Sequence, residues 1–121
     1  MSFVATRNKG YAMTFDNGFT ISVQWGTENY CEKKHTTIHP TDPMEHKRWD
    51  SLSAEIAVFD KEGEFISING YTLESTDGTI KNVDDVVAGW LPTDKVAEVI
   101  TIVQSATTKE EIENKSKELL I

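Results

Sequence analysis

The chain has 121 residues and a formal net charge of −8, with 26% charged residues. This length suits one domain of common size and is too short for two ordinary domains. The negative charge disfavours general nucleic-acid binding, since phosphate contacts need clustered Lys and Arg side chains, and the sequence has no apolar run near the ~20 residues of a membrane span.

Residues 11–25 have the alternating pattern of a β-hairpin, interrupted by the turn residues 16–18. A two-residue turn at Asn17 and Gly18 would place Phe15 opposite Thr20, which mixes apolar and polar side chains on both faces. We therefore predict a three-residue loop with Gly18 in the left-handed conformation, because that register makes one face wholly apolar. The predicted pairs are Tyr11 with Val23, Met13 with Ile21, and Phe15 with Phe19. Trp25 continues this face and is expected in the core.

Residues 26–50 form a long irregular segment with two prolines and few aliphatic side chains. A structureless loop of this length is uncommon inside a compact domain. Either a short helix forms over residues 41–49, or the segment is functional, and the two alternatives are compatible.

Residues 54–68 repeat the hairpin pattern, with residues 61–63 as the loop and Gly63 at positive φ. Two hairpins of this kind predict one antiparallel sheet with at least four strands. Residues 69–89 are rich in Asn, Gly, Thr and Asp and are expected to form turns, with room for one short strand. The predicted pairs in the second hairpin are Val58 with Ile66, Ile56 with Ile68, and Phe59 with Phe65 on the opposite face.

The C-terminal residues 93–121 are predicted to be helical, with Thr93 as N-cap of the first helix and a Thr108–Glu111 capping box opening the second. The second helix has a narrow apolar stripe that ends in residues 119–121, and we expect this tip to contact a second copy in a homodimer. The predicted fold class is α+β: a single domain over residues 1–121, with an antiparallel sheet of four to six strands and one or two helices packed on it.

Three stretches together resemble a group of small phage and prophage proteins of uncharacterised function: RNKGYAMTFDNGFTISVQWGTENYC, SAEIAVFDKEGEF and DDVVAGWLPTDKVAEVI. The similar pieces are an Asn-Gly hairpin, a Ser-Val-Gln strand, an Asn-Tyr-Cys, an Ala-Glu-Ile-Ala strand and a Gly-Trp before a helix. The resemblance implies a phage origin and a location in the host cytoplasm. Because this group has no established activity, it assigns no catalytic residue to the chain. Small phage proteins of this kind are often accessory factors that inhibit a host enzyme or a defence system.

The sequence also favours a cytoplasmic location independently of that resemblance. Its one cysteine cannot form an internal disulfide, and Arg7 comes too early for the apolar core of a signal peptide.

Cys31, His35 and His39 follow each other at intervals of four residues, which on a helix would place three possible zinc ligands on one face. The two lysines between the first pair would repel a dication, and Pro40 would end such a helix. We therefore predict no metal and no other cofactor. A nucleophilic Cys31 would need a base and an oxyanion site that the sequence does not identify, so a small buried thiol is the favoured interpretation and no catalytic residue is assigned.

Residues 31–49 carry four basic and three acidic residues, whereas the remainder of the chain is strongly acidic. Aromatic and arginine side chains are enriched at binding hot spots. The segment therefore predicts a binding surface, although its aromatic residues would equally serve to anchor a long loop to the sheet. The candidate binding residues are Tyr30, Lys34, His35, Arg48 and Trp49.

The leading functional hypothesis is a non-enzymatic phage accessory protein that binds and inhibits a host protein, for example as a counter-defence protein. The alternative is a small-ligand binder that sequesters a nucleotide signal, which would use Arg or Lys for phosphate and aromatic rings for the base. The chain has only two arginines, Arg7 and Arg48, which weakens this alternative. A small enzyme is the third functional hypothesis. Neither double-stranded nucleic acid nor a membrane is an expected partner.

Overall fold

The computed structural model describes residues 2–5, 10–26, 31, 50–68, 72–74, 80–82 and 86–120. In chain order, the elements of this part are the strands β1 (Ser2–Ala5), β2 (Gly10–Thr14), β3 (Thr20–Gln24), β4 (Ala54–Phe59), β5 (Thr72–Glu74), β6 (Ile80–Asn82) and β7 (Val87–Leu91), followed by the helices α1 (Thr93–Ser105) and α2 (Lys109–Leu120).

The main sheet has five antiparallel strands in the order β1-β2-β3-β4-β7, and β5 pairs with β6 in a separate ribbon. Both helices contribute to one hydrophobic core with the sheet. The predicted α+β fold class is therefore confirmed. Neither described helix is long and apolar enough to cross a membrane.

The first hairpin has the predicted register. Tyr11 pairs with Val23 and Met13 with Ile21, so the apolar face is continuous across β2 and β3. The Phe15 amide donates to the Phe19 carbonyl and the Gly18 amide donates to the Phe15 carbonyl, both at 2.9 Å, which closes the three-residue loop. Gly18 has φ 88°, as the face-matching argument requires.

In the second hairpin, the predicted strand pairing is confirmed only for the residues next to the loop. The Ile66 amide donates to the Val58 carbonyl at 2.8 Å, and Gly63 has φ 83°. The predicted pairing of Ile56 with Ile68 is wrong, because Ile56 pairs with Ala88 of β7. β7 occupies the rest of this edge of β4, so the returning chain leaves the sheet after one pair. The rings of Phe59 and Phe65 do meet, with centroids 4.7 Å apart.

The helices bury their apolar stripes in the same hydrophobic core, in which α1 packs on β3 and β4 and α2 packs on α1. Val99 and Val103 of α1 and Ile112 of α2 have no exposed surface. Leu120 is only 9% exposed and belongs to this core, so it does not form the exposed tip from which a dimer was expected. The homodimer stays a prediction, and residue 121 lies outside the described residues.

The N-cap predicted for α1 is wrong, whereas part of the capping box predicted for α2 is present. Thr93 is already the first helical residue, and Pro92, with extended φ and ψ, takes the N-cap position, so the predicted Thr93 cap is wrong by one residue. At α2, the Glu111 amide donates to the Thr108 hydroxyl at 3.2 Å, which is one of the two hydrogen bonds of the predicted capping box.

Asn17 joins the loop of the first hairpin to the carboxyl end of α1. Its side-chain NH₂ donates to the carbonyl oxygens of Val103 at 2.8 Å and Ala106 at 2.9 Å, with a longer contact to Gln104 at 3.2 Å. Its side-chain oxygen accepts from the Phe19 amide at 3.1 Å. The last carbonyls of a helix have no partner within the helix, and the Val103 carbonyl accepts only a long bond from the Ala106 amide, at 3.4 Å. The Asn17 amide therefore supplies the shorter hydrogen bonds at this helix end.

Substitution of Asn17 tests this cap. Asn17→Ala should lower the free energy of unfolding by about 1–3 kcal/mol, because the helix carbonyls lose their donor in a partly buried place. Asn17→Asp should lower it further, because a carboxylate would face carbonyl oxygens at the negative end of the helix dipole. Urea unfolding followed by circular dichroism measures both values.

Asn114→Asp, at an exposed position of α2, is the control for the added negative charge. If Asn17→Asp were no less stable than Asn114→Asp, the cap would have no energetic role.

Candidate functional site

A cavity of about 800 Å³ lies between the sheet and the amino-terminal half of α1. Aromatic and aliphatic side chains form most of its wall, and polar groups lie along one side. The sheet and the end of β3 contribute Tyr11, Val23, Trp25, Ala54 and Leu91; α1 contributes Thr93, Val96, Ala97 and Ile100; and residues 50–53 form the remaining side.

The position of the cavity follows from how α1 is held. At its carboxyl end, α1 is fixed by the fully buried Val99 and Val103 and by the Asn17 cap. Its amino-terminal half contributes the buried Val96 to the core, while the small and exposed Ala97 borders the cavity. From the sheet, Tyr11 of β2 and Trp25, which follows β3, border the same space.

Tyr11 and Trp25 form the aromatic wall of the cavity. Their ring centroids are 6.0 Å apart and the rings are inclined at 69°, which is the edge-to-face arrangement that aromatic pairs favour. Burial raises the pKa of the Tyr11 phenol above its ordinary value, which favours the neutral form further. A neutral phenol beside the Trp25 ring can donate one hydrogen bond to a bound ligand.

The polar side of the cavity is formed by residues 50–53. The Ser51 hydroxyl donates to the Ser53 carbonyl at 2.7 Å, which holds this short segment in a turn. Leu52 is 79% exposed at the margin. In the described part of the lining, Asp50 is the one side chain that is charged at neutral pH, and no Lys or Arg occurs there.

The candidate binding residues predicted from sequence cannot be compared with this cavity. Tyr30, Lys34, His35, Arg48 and Trp49 all lie outside the described residues. The same holds for His39 and His46, so the prediction of no metal stays a prediction.

Cys31, which precedes most of that segment, is described. It is 1% exposed, and its thiol donates to the Gly26 carbonyl at 3.4 Å, which agrees with the interpretation of a small buried thiol.

Sequence reasoning did not identify Tyr11 and Trp25 as site residues. The alternating pattern places Tyr11 on the apolar face of β2 and predicts Trp25 in the core. Trp25 is half-buried and packs against that core, yet it also lines the cavity. The sequence does contain a signal for these residues. Tyr and Trp each combine an apolar ring with a polar O–H or N–H group, and both lie at the margin of the apolar face.

A β-bulge in β7 presents a second unusual aromatic residue. Ala54 pairs with Leu91 and Ile56 with Ala88, so Gly89 and Trp90 together lie opposite one residue of β4. Trp90 has φ 52° and is 57% exposed. A left-handed conformation is rare for a bulky residue and occurs most often where the surrounding structure imposes it, with functional sites over-represented.

Comparison of the chain with protein-family models, curated proteins and solved structures finds no significant match. The resemblance to small phage and prophage proteins therefore stays a prediction. Function has to be inferred from the cavity and the surface of the molecule.

The strain at Trp90 can be measured with two variants that both remove the indole ring. Trp90→Gly should have a free energy of unfolding about 1 kcal/mol higher than Trp90→Ala, because only alanine has a Cβ that opposes a left-handed backbone. Chemical denaturation gives the difference. Leu52 is the control position, since its φ is not positive: there the glycine variant should be the less stable of the two. If the glycine variant were also the less stable of the two at position 90, Trp90 would carry no strain.

Titration of the phenols tests the environment of Tyr11. The absorbance change of the wild type minus that of Tyr11→Phe isolates one transition, which should lie above the ordinary pKa of about 10 because burial favours the neutral form. Since the folded pKa exceeds the unfolded one, this residue's contribution to stability is complete below that ordinary value and falls as the pH rises above it. A difference transition at or below pH ~10 would place Tyr11 in full contact with solvent.

Proposed function

We propose that the protein is a non-enzymatic binding protein whose cavity receives one compact ligand with an aromatic or aliphatic body. The observation that carries this proposal is the cavity of about 800 Å³ between the sheet and α1. Sites for small molecules usually measure about 300–1,000 Å³ and combine an apolar lining with a few polar groups. The paired rings of Tyr11 and Trp25 on one side and the residue 50–53 turn on the other have this character.

The charges around the cavity favour a neutral or cationic ligand over a phosphorylated one. Asp50 is the charged side chain of the described lining, and the chain as a whole carries −8. The amino end of α1 also borders the cavity, but Asp94 in its first turn already compensates the positive end of the helix dipole. Sequestration of a nucleotide signal, which would need cationic groups for the phosphate, is therefore the weaker form of this proposal.

Inhibition of a host protein by a phage accessory protein is the second candidate function. Exposed large hydrophobic side chains favour it: Phe3 on the edge strand β1 is 84% exposed and Trp90 is 57% exposed. Tryptophan is among the residues most enriched at the centres of protein interfaces. In this form of the proposal the protein acts in the cytoplasm of the host cell, as a homodimer.

A panel of small molecules with one ring system tests the cavity. We use 3-methylindole, tryptamine, indole-3-acetate and adenosine monophosphate as neutral, cationic, anionic and phosphorylated probes. Ligand-observed NMR and isothermal titration calorimetry should show binding of the neutral and cationic indoles, weaker binding of the anion and the weakest binding of the nucleotide. Binding by none of the probes would contradict the proposed ligand class.

Filling the cavity locates the binding site. Ala97→Trp projects an indole ring from α1 into the space and should weaken binding of 3-methylindole by at least about tenfold, equivalent to ~1.4 kcal/mol. Thr101→Trp is the matched control, because Thr101 is exposed on the same helix and does not line the cavity. Equal affinity in the two variants would place the ligand elsewhere. For the second candidate, loss of host-protein capture in Trp90→Gly but not in Ala97→Trp would favour the surface over the cavity.

A further inference from the structure

Asn17, which caps α1, is followed by Gly18, and the two residues form an Asn-Gly pair that is chemically reactive. An Asn followed by Gly is prone to deamidation, since glycine leaves the attacking backbone nitrogen without steric protection. The same side chain holds the carboxyl end of α1 through Val103 and Ala106. We propose that Asn17 is a deamidation site that the folded chain protects, and that its modification removes the cap of α1. This site is independent of the ligand proposed for the cavity.

The reaction needs only the chain and water. The Gly18 backbone nitrogen, after losing its proton, attacks the side-chain carbonyl carbon of Asn17, and a new C–N bond closes a succinimide ring. The bond from that carbon to the side-chain nitrogen breaks, and the nitrogen leaves with the proton as ammonia. Water then opens the ring at one of its two carbonyls. Opening at the side-chain carbonyl yields aspartate, and opening at the main-chain carbonyl yields isoaspartate.

The folded structure restrains both reacting groups. The Gly18 amide proton is engaged with the Phe15 carbonyl at 2.9 Å, so its removal costs a hydrogen bond. The Asn17 side chain is held at both ends, since its NH₂ donates to α1 and its oxygen accepts from the Phe19 amide at 3.1 Å. Ring closure requires this side chain to leave α1 and turn toward its own backbone. The reaction therefore proceeds through opening of the loop, and its rate reports how often the loop opens.

Deamidation of Asn17 removes hydrogen bonds that hold the carboxyl end of α1. A carboxylate has no proton to donate, so the carbonyls of Val103 and Ala106 lose the Asn17 donor and face a negative charge instead. The Val103 carbonyl keeps only the long hydrogen bond from the Ala106 amide at 3.4 Å. Isoaspartate adds one carbon to the main chain within the three-residue loop, which disturbs the register of β2 and β3. A chain modified while unfolded consequently refolds to a less stable state.

Peptide mapping by mass spectrometry tests the protection. The intact protein is held at mildly alkaline pH either folded or unfolded in urea, and the second Asn-Gly pair of the chain, Asn69-Gly70, serves as the internal clock. In urea, both pairs should deamidate at similar rates. In the folded protein, deamidation of Asn17 should be at least about tenfold slower than in urea, since it requires local opening. Equal rates for Asn17 in the two states, or no reaction of Asn17 in urea, would overturn the proposal.

The consequence is tested on the modified material itself. The deamidated fraction, separated by ion exchange after incubation in urea and refolded, should unfold at a lower urea concentration than the unmodified protein. Fractions modified only at Asn69 are the control. An unchanged midpoint for the fraction modified at Asn17 would show that the cap does not depend on the amide.

Discussion

The side-chain amide of Asn17 connects the first hairpin with the end of a helix that lies 86 residues further along the chain. This connection holds the carboxyl end of α1 on the loop of the hairpin. At the capped end, Val99 and Val103 are fully buried, and the loop between the helices turns over the hairpin. The amino-terminal half of α1 also contributes Val96 to the core, and beside it Tyr11 and Trp25 border the cavity.

The proposed ligand site lies where α1 does not close against the sheet. Ala97 is exposed and Ile100 is only half-buried at this place. Tyr11 and Trp25 contact each other edge to face and stand as one wall of a cavity that α1 covers. The described lining has the size and polarity of a small-molecule site, and Asp50, the one charged side chain among those residues, disfavours a phosphate.

Local pattern predicted the hairpin registers because a sheet with one buried face strongly specifies its pairing. The pairs of Tyr11 with Val23 and Val58 with Ile66, and both left-handed glycines, followed from that rule. β1 and β7 did not, for physical reasons. β1 is exposed on every residue, so it shows no burial pattern, and β7 contains a bulge that breaks the alternation at Gly89 and Trp90.

The candidate site was less predictable than the fold. A cavity between layers depends on the separation of α1 from the sheet, which no single segment encodes, and the contact of Asn17 with Ala106 links segments far apart in sequence. Sequence patterns directed attention to residues 26–50, where aromatic and basic side chains concentrate, whereas the described cavity uses rings that the same patterns assigned to the apolar face. An aromatic residue at the margin of a core serves packing and binding equally well, so pattern alone does not separate the two roles.

Amide hydrogen exchange of the wild type and Asn17→Ala is the most direct test of the claim that this one side chain holds α1 on the hairpin. We expect faster exchange in Asn17→Ala in two separate places: at the Phe19 amide, and at the amides where α1 ends and α2 begins, around residues 103–112. Exchange that accelerated in the hairpin alone, with α1 and α2 unchanged, would contradict it.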